Sequence, residues 1–319
     1  MTAGVRPLNM LVLLTRACPL SCRYCDMDRR PGAMRPEVLR RAVDLLLKEK
    51  GPVELQYFGG EPLLEYDLLV SGVDYAARQA RSRGSSLRQV VTTNGLLLTP
   101  ARIRELTGKG CSFILSLDGG RVVSARQRPL SNGAAYPWEL LRRNLRALVR
   151  ADADFFVNLV VTPASAGRLA VSAAFLLEEG VRRLQFAYAL GADWDRASRA
   201  VLGRQLALAR KRTELRADIL NRRSASEPVF LSRQHVVDVD GGLYLGCSIV
   251  LERRWPRLHE AFRCGRVGKT VRLPGLDRGP KEQLALILGA GLARGELKSV
   301  MGDIALGYWM KRFWEGAKS

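Results

Sequence analysis

The sequence predicts an α/β protein: six strand–helix units joined by short loops, then a C-terminal α+β extension made of a hairpin plus helices. Three observations predict it. Short apolar or β-branched runs alternate with segments whose apolar residues recur at helical spacing, the signature of parallel βα units. The strand runs stop at Gly-Gly, Asn-Gly or Asp-Gly, and proline opens several of the helical segments. The alternation then ceases near residue 190, which divides the chain into 1–190 and 191–319. Six units fall short of the eight that close a TIM barrel.

Each element follows from its residues. The apolar run Met10–Leu14 is the first strand and leads into a cysteine loop. Pro36 opens a helix carried by Val38, Leu39, Ala42, Leu45 and Leu46. Val53–Phe58 is a buried strand of β-branched and aromatic residues, and a helix pattern runs from about Leu64 to Arg83. Gln89–Thr93 is a strand stopped by Asn94-Gly95, Pro100–Gly108 a short helix, and Cys111–Leu117 a strand ending at Asp118-Gly119-Gly120. A loop to Tyr136 precedes a helix from Pro137 to Val149. Strand Phe155–Val161, helix Ala166–Glu179 and strand Arg182–Ala187 complete the alternation. Beyond it, Ala197–Arg223 reads as one long basic helix. Val229–Leu245 reads as a hairpin turning at Asp240-Gly241-Gly242. Arg254–Phe262 is a short helix, and Pro280–Glu315 is largely helical with glycines at 289, 291, 295 and 302 as breaks.

Composition narrows the function classes. A chain of 319 residues with 47% hydrophobic content buries one large core, or one domain plus an appendage. Leu11–Leu14 is far too short to span a membrane. Six cysteines in this length do not make a disulfide scaffold. Lys and Arg number 51 against 31 Asp and Glu, a formal charge of +20, which attracts anionic partners such as an acidic peptide or a phosphorylated metabolite. No basic repeat interleaved with aromatics marks a base-stacking surface, which argues against nucleic acid.

The chemistry concentrates in Cys18-Pro19-Leu20-Ser21-Cys22-Arg23-Tyr24-Cys25, a CxxxCxxC pattern. Thiolates bind soft metals and iron–sulfur clusters. Three close thiolates hold three irons of a [4Fe–4S] cluster and leave the fourth open to a further ligand. A structural zinc site needs a fourth Cys or His nearby, and residues 26–60 contain neither. The pattern, with Tyr24 before its last cysteine, resembles the radical S-adenosylmethionine (radical SAM) superfamily. The resemblance implies a partial (β/α)6 TIM-type barrel over roughly residues 8–190. It implies one [4Fe–4S] cluster on Cys18, Cys22 and Cys25, with SAM chelated at the open iron. It also implies reductive cleavage of SAM to a 5′-deoxyadenosyl radical that takes a hydrogen atom from substrate. An electron donor such as flavodoxin or ferredoxin and a reducing cytoplasm go with it.

Further motifs fall at strand ends, where a parallel barrel keeps its catalytic groups. Gly59-Gly60-Glu61-Pro62 resembles the family's GGE motif, whose backbone and acid hold the SAM amino group. Thr92-Thr93-Asn94-Gly95 resembles its third-strand TNG, with Asn94 as a cofactor contact. Ser116-Leu117-Asp118-Gly119 resembles the SLDG segment of the branch containing anaerobic sulfatase maturases and peptide-modifying enzymes. There Ser116 and Asp118 would lie near the SAM carboxylate and ribose, and Arg128 would bind the carboxylate. Tyr24 would pack near adenine, and Asn158 and Gln185 would meet ribose or substrate.

In the extension, Gly242–Cys247 fits a GxxxxC element that resembles the SPASM and twitch extensions of this branch. The upstream cysteine of that pattern is absent, with Phe230, Leu231, Ser232 and Arg233 in its place, and no cysteine follows Cys264. A full auxiliary-cluster set is therefore excluded. Cys247 is left as a hydrogen-atom donor to a substrate radical, while Cys111 and Cys264 read as core. Two substrates stay open. One is a ribosomally made peptide undergoing epimerisation or crosslinking. The barrel starts almost at the N-terminus, so its leader would be bound by a separate protein or by the basic C-terminal region. The other is a sugar or aminocyclitol, epimerised or dehydrogenated in antibiotic biosynthesis.

Overall fold

A computed structural model describes residues 7–214, 216–223, 228–232, 234–246, 248–273 and 279–316. Six parallel strands follow in sequence and in space: β1 (Leu8–Thr15), β2 (Val53–Gly59), β3 (Leu87–Thr93), β4 (Cys111–Ser116), β5 (Phe155–Val161) and β6 (Arg183–Tyr188). Between them run α1 (Pro36–Leu46), α2 (Tyr66–Arg83), α3 (Pro100–Gly108), α4 (Arg121–Gln127), α5 (Trp138–Arg150) and α6 (Leu169–Glu178). β1 and β6 are not neighbours, so the barrel is open, as six units require.

Strand alternation sets the interior. Met10, Val12, Leu55, Tyr57, Phe113, Leu115, Val157, Leu159, Leu184 and Phe186 face the helices and form the main core. Their neighbours Asn9, Glu54, Gln56, Ser116, Asn158 and Gln185 line a central cavity. The polar half of each strand therefore marks the concave side.

The rest of the chain completes the same sheet. After α7 (Arg196–Thr213), β7 (Asp218–Ile219) pairs parallel with β6, and α8 (Leu220–Arg223) follows. The hairpin β8 (His235–Val237) and β9 (Gly242–Leu245) forms as its turn residues predict, and β8 adds in parallel to β1. Helix α9 (Pro256–Ala261) leads to β10 (Arg263–Arg266), antiparallel to β9, and α10 (Pro280–Gly289) and α11 (Arg294–Glu315) end the fold. Among the described residues the sheet thus has ten strands, with β10 and β7 at its edges.

Two sequence expectations change. Ala197–Arg223 is not one helix. α7 stops at Thr213, whose carbonyl takes the Arg216 and Ala217 amides, and Asp218 N then donates to Arg182 O. The open edge of β6 captures the segment and buries Ile219. The loop before Tyr136 also contains α4, on which Ser124 Oγ donates to Gly119 O at 2.9 Å. No helix of the described residues is long and apolar enough to cross a membrane.

Candidate active site

The cysteine loop leaves β1 at Thr15 and is held from two sides. On one side is the turn after β2: Gly60 N donates to Thr15 O and Glu61 N to Ala17 O, both at 2.9 Å. A Cβ on Gly59 would lie 2.2 Å from Thr15 O, and one on Gly60 would lie 2.1 Å from Ala17 O. Gly59 also has φ of +136°. Only glycine lets the two backbones meet there. On the other side are the end of α4 and the segment after it. Arg23 N donates to Gln127 O at 2.9 Å, Ser21 N to Pro129 O at 2.7 Å, and Ser131 N to Pro19 O at 2.8 Å. Arg29 folds back on the loop, donating to Leu20 O at 2.5 Å and Ser21 Oγ at 3.1 Å.

The half-buried Cys18, Cys22 and Cys25 line one cavity of 710 Å³ that also reaches Asn9 and Glu54 at the amino ends of β1 and β2. Tyr24, Gly59, Gly60, Asn94, Ser116, Arg128, Asn158 and Gln185 line it too. Burial pushes the Cys18 thiol up to about 12 and the Cys22 thiol up to about 11, and the neighbouring thiols add to both. Among the described residues no three Cys, His, Asp or Glu side chains converge on a single-ion site. Three thiols lining one cavity could hold a cluster. Asn94 Nδ2 lies 3.9 Å from Cys18 Sγ and Arg128 Nη1 lies 4.0 Å from Cys22 Sγ. Asn158 Oδ1 is buried with no partner among the described residues, an acceptor left over on the cavity wall.

The two acids of the motifs take supporting positions. Glu61 is fully buried, and neither it nor Pro62 is among the residues lining the cavity. Its Oε1 accepts from Thr93 Oγ1 at 2.8 Å and Leu63 N at 3.1 Å, and its Oε2 from Asn94 N at 2.8 Å. Burial pushes its carboxyl up to about 7 against the pull of these bonds. Glu61 thus ties the β2 turn to the end of β3 and fixes Asn94.

Asp118 is likewise buried and absent from the lining. It grips Arg128 through Nε and Nη2 at 2.8 and 2.9 Å, and it accepts from Tyr24 Oη at 2.9 Å and Val160 N at 3.1 Å. Asp118 thus grips Tyr24 and Arg128, two residues that do line the cavity. Burial alone would lower the Arg128 pKa. The Asp118 charge outweighs it, so the guanidinium stays charged with Nη1 facing the thiol side.

Sequence reasoning missed the support of the loop's root. Arg16, fully buried, donates from Nε to Asp238 Oδ1 at 2.9 Å, from Nη2 to Asp238 Oδ2 at 2.6 Å, and from Nη1 to Glu252. The one local signal is a cation directly beside an apolar strand, which demands a buried acid from elsewhere. Cys247 lies outside the described residues. Cys264 is half-buried, its Sγ 3.4 Å from Leu243 O, and Cys111 is in the core.

Residues 12–165 match the profile of the Radical SAM superfamily. The chain is 30% identical over 223 residues to a PqqA peptide cyclase of Streptomyces rochei, covering 64% of this chain and 55% of that one. It is 28% identical over 178 residues to a serine-type anaerobic sulfatase-maturating enzyme of Klebsiella aerogenes, covering 53% and 44%. The chain spans about half the length of these curated relatives. Its fold resembles native anSMEcpe, solved with bound AdoMet and the Cp18Cys peptide, at a TM-score of 0.74 and 19% identity over 91% of this chain and 85% of that one. An open parallel barrel with three loop cysteines at its mouth, and the match over residues 12–165, mark this part of the chain as a Radical SAM domain.

Proposed function

We propose that this enzyme uses a [4Fe–4S] cluster on Cys18, Cys22 and Cys25, with SAM beside it, to modify a ribosomally made peptide. One observation carries the reading. The three thiols share a 710 Å³ cavity with Gly59, Gly60, Asn94, Ser116, Arg128 and Asn158. When bound, the cluster and SAM together supply an electron and a 5′-deoxyadenosyl radical that takes one hydrogen atom from substrate.

The chain's own residues bind and orient. Gly59 and Gly60 bring the β2 turn against the cysteine loop. Arg128, held charged by Asp118, offers its remaining Nη1 to a carboxylate such as that of SAM. Asn158 supplies an acceptor for a ribose hydroxyl or the substrate. The peptide reading is supported by what the relatives act on: a PqqA peptide cyclase by sequence, and anSMEcpe with a bound peptide by fold.

We further propose epimerisation, with Cys247 as the donor, on the strength of the GxxxxC element at the hairpin. The bound group would take hydrogen from one face of the carbon, and the Cys247 S–H would return a hydrogen atom to the other. The thiyl radical left behind would take one electron from the external reductant and one proton from solvent. In deuterated water the inverted product gains one deuterium. Cys247→Ala still releases 5′-deoxyadenosine but yields no inverted product, and an unchanged epimer yield would contradict the role.

A further inference from the structure

A second cavity, of 480 Å³, opens beside the first. Its walls come from the cysteine loop, α4, the loop after β5 and the loop after β6, and Tyr24, Ala189 and Leu190 line both cavities. A group seated there is next to the reacting centre.

Its charge is one-sided. Arg23, Arg126, Arg168 and Arg254 line it, opposed by Asp26 and Asp193. Several arginines elsewhere are paired with acids. Arg142 and Arg146 grip Glu179, Arg183 grips Asp154, and Arg88 reaches Glu54. In this cavity Arg254 reaches Asp26 only at 3.9 Å. Arg126 and Arg168 are exposed and have no carboxylate partner among the described residues. Arg23 Nε donates to Arg126 O at 2.8 Å, which fixes the backbone from which Arg126 projects. Beside them Val122 is 74% exposed on the cavity wall, an apolar contact next to unpaired cations.

Unpaired guanidinium forks match carboxylates, whose two oxygens accept two parallel bonds. We propose that this cavity seats an acidic side chain, Asp or Glu, of the substrate peptide. Arg126 and Arg168 are its carboxylate partners, and Val122 meets an apolar neighbour on the same peptide. The assignment rests on the peptide reading above and adds a specificity to it.

The test measures binding to the reconstituted enzyme with SAM, by fluorescence anisotropy. The probes are three labelled decapeptides that differ only in a central Glu-Glu, Gln-Gln or Lys-Lys beside a Val, and a ten-nucleotide oligothymidylate. The enzymes are the parent, Arg126→Glu/Arg168→Glu, the milder Arg126→Gln/Arg168→Gln, and Arg104→Glu/Arg143→Glu. The last makes the same charge change at exposed helix sites outside both cavities.

The parent should bind the Glu-Glu peptide about tenfold tighter than the Gln-Gln peptide, the effect of one good charge-assisted contact. Both groove variants should lose that preference, and the Arg104/Arg143 variant should keep it within about twofold. No preference in the parent, an equal loss in all variants, or a groove effect on the oligonucleotide alone would overturn the proposal. Release of 5′-deoxyadenosine is measured alongside. If it persists while the preference is missing, the groove assignment fails and the radical SAM reading stands; if it is absent while the preference is present, the reverse holds.

Discussion

A buried guanidinium needs a buried acid, and at the site Arg128 has Asp118. Removing the acid leaves the cation desolvated and unpaired, the costly way to break such a pair. Asp118→Ala should lower stability by roughly 3–5 kcal/mol in urea denaturation. Tyr24→Phe, which deletes only the 2.9 Å bond to Asp118, should cost about 1 kcal/mol. Equal losses in the two variants would mean that Asp118 acts through Tyr24 rather than through Arg128. At this scale the sequence shows what is local. Cys18, Cys22, Cys25, Gly59 and Gly60 are legible because their spacing carries the chemistry. The partners of Arg16 are not, because Asp238 and Glu252 stand 222 and 236 positions away. Glu61 and Asp118 were legible as functional but not as supports. Whether a carboxylate faces a ligand or a backbone amide depends on neighbours that only the fold supplies.

Among elements, α11 governs the loop after β6, which lines both cavities. Asp303 of α11 accepts from Gly191 N at 2.6 Å, and its backbone carbonyl accepts from Tyr188 Oη at 2.8 Å. Burial pushes the Asp303 carboxyl up to about 7 from 3.8. Between those values the folded chain keeps a proton that the unfolded chain has lost, so this acid's contribution to stability falls as pH rises from about 4 to about 7. Asp303→Asn keeps a carbonyl acceptor for Gly191 N and cannot titrate. Its melting temperature should fall less across that window than the parent's, and parallel profiles would show that Asp303 is ionised throughout.

The six barrel strands are legible because period-two runs with glycine stops are local signals. β7 is not, because it exists only where the β6 edge captures Asp218 and Ile219. Nor does the hairpin's own sequence say that it adds to β1.

At the scale of the molecule, the two halves of the chain share one sheet and its main core. β8 covers β1, and Leu11, Leu13 and Met27 cluster with Val236, Tyr244 and Ile249. Trp314 of α11 stacks on Phe186 of β6, with ring centroids 5.9 Å apart. A fragment of residues 1–190 should therefore fail to fold, since it bares the β1 edge and leaves Arg16 buried without Asp238. A soluble fragment with a cooperative melting transition would instead show that the division at residue 190 is a true domain boundary. The function rests on the same unity: the cysteine loop is rooted in β1, clamped by the β2 turn and backed by the extension. The most direct measurement reconstitutes the protein anaerobically with iron and sulfide, beside a Cys18/Cys22/Cys25→Ala variant, then adds dithionite and SAM. The parent should hold about four irons and release 5′-deoxyadenosine, and the variant should hold about none and release none. An iron-loaded parent that leaves SAM intact, or a triple variant that cleaves SAM equally well, would contradict the assignment of the site.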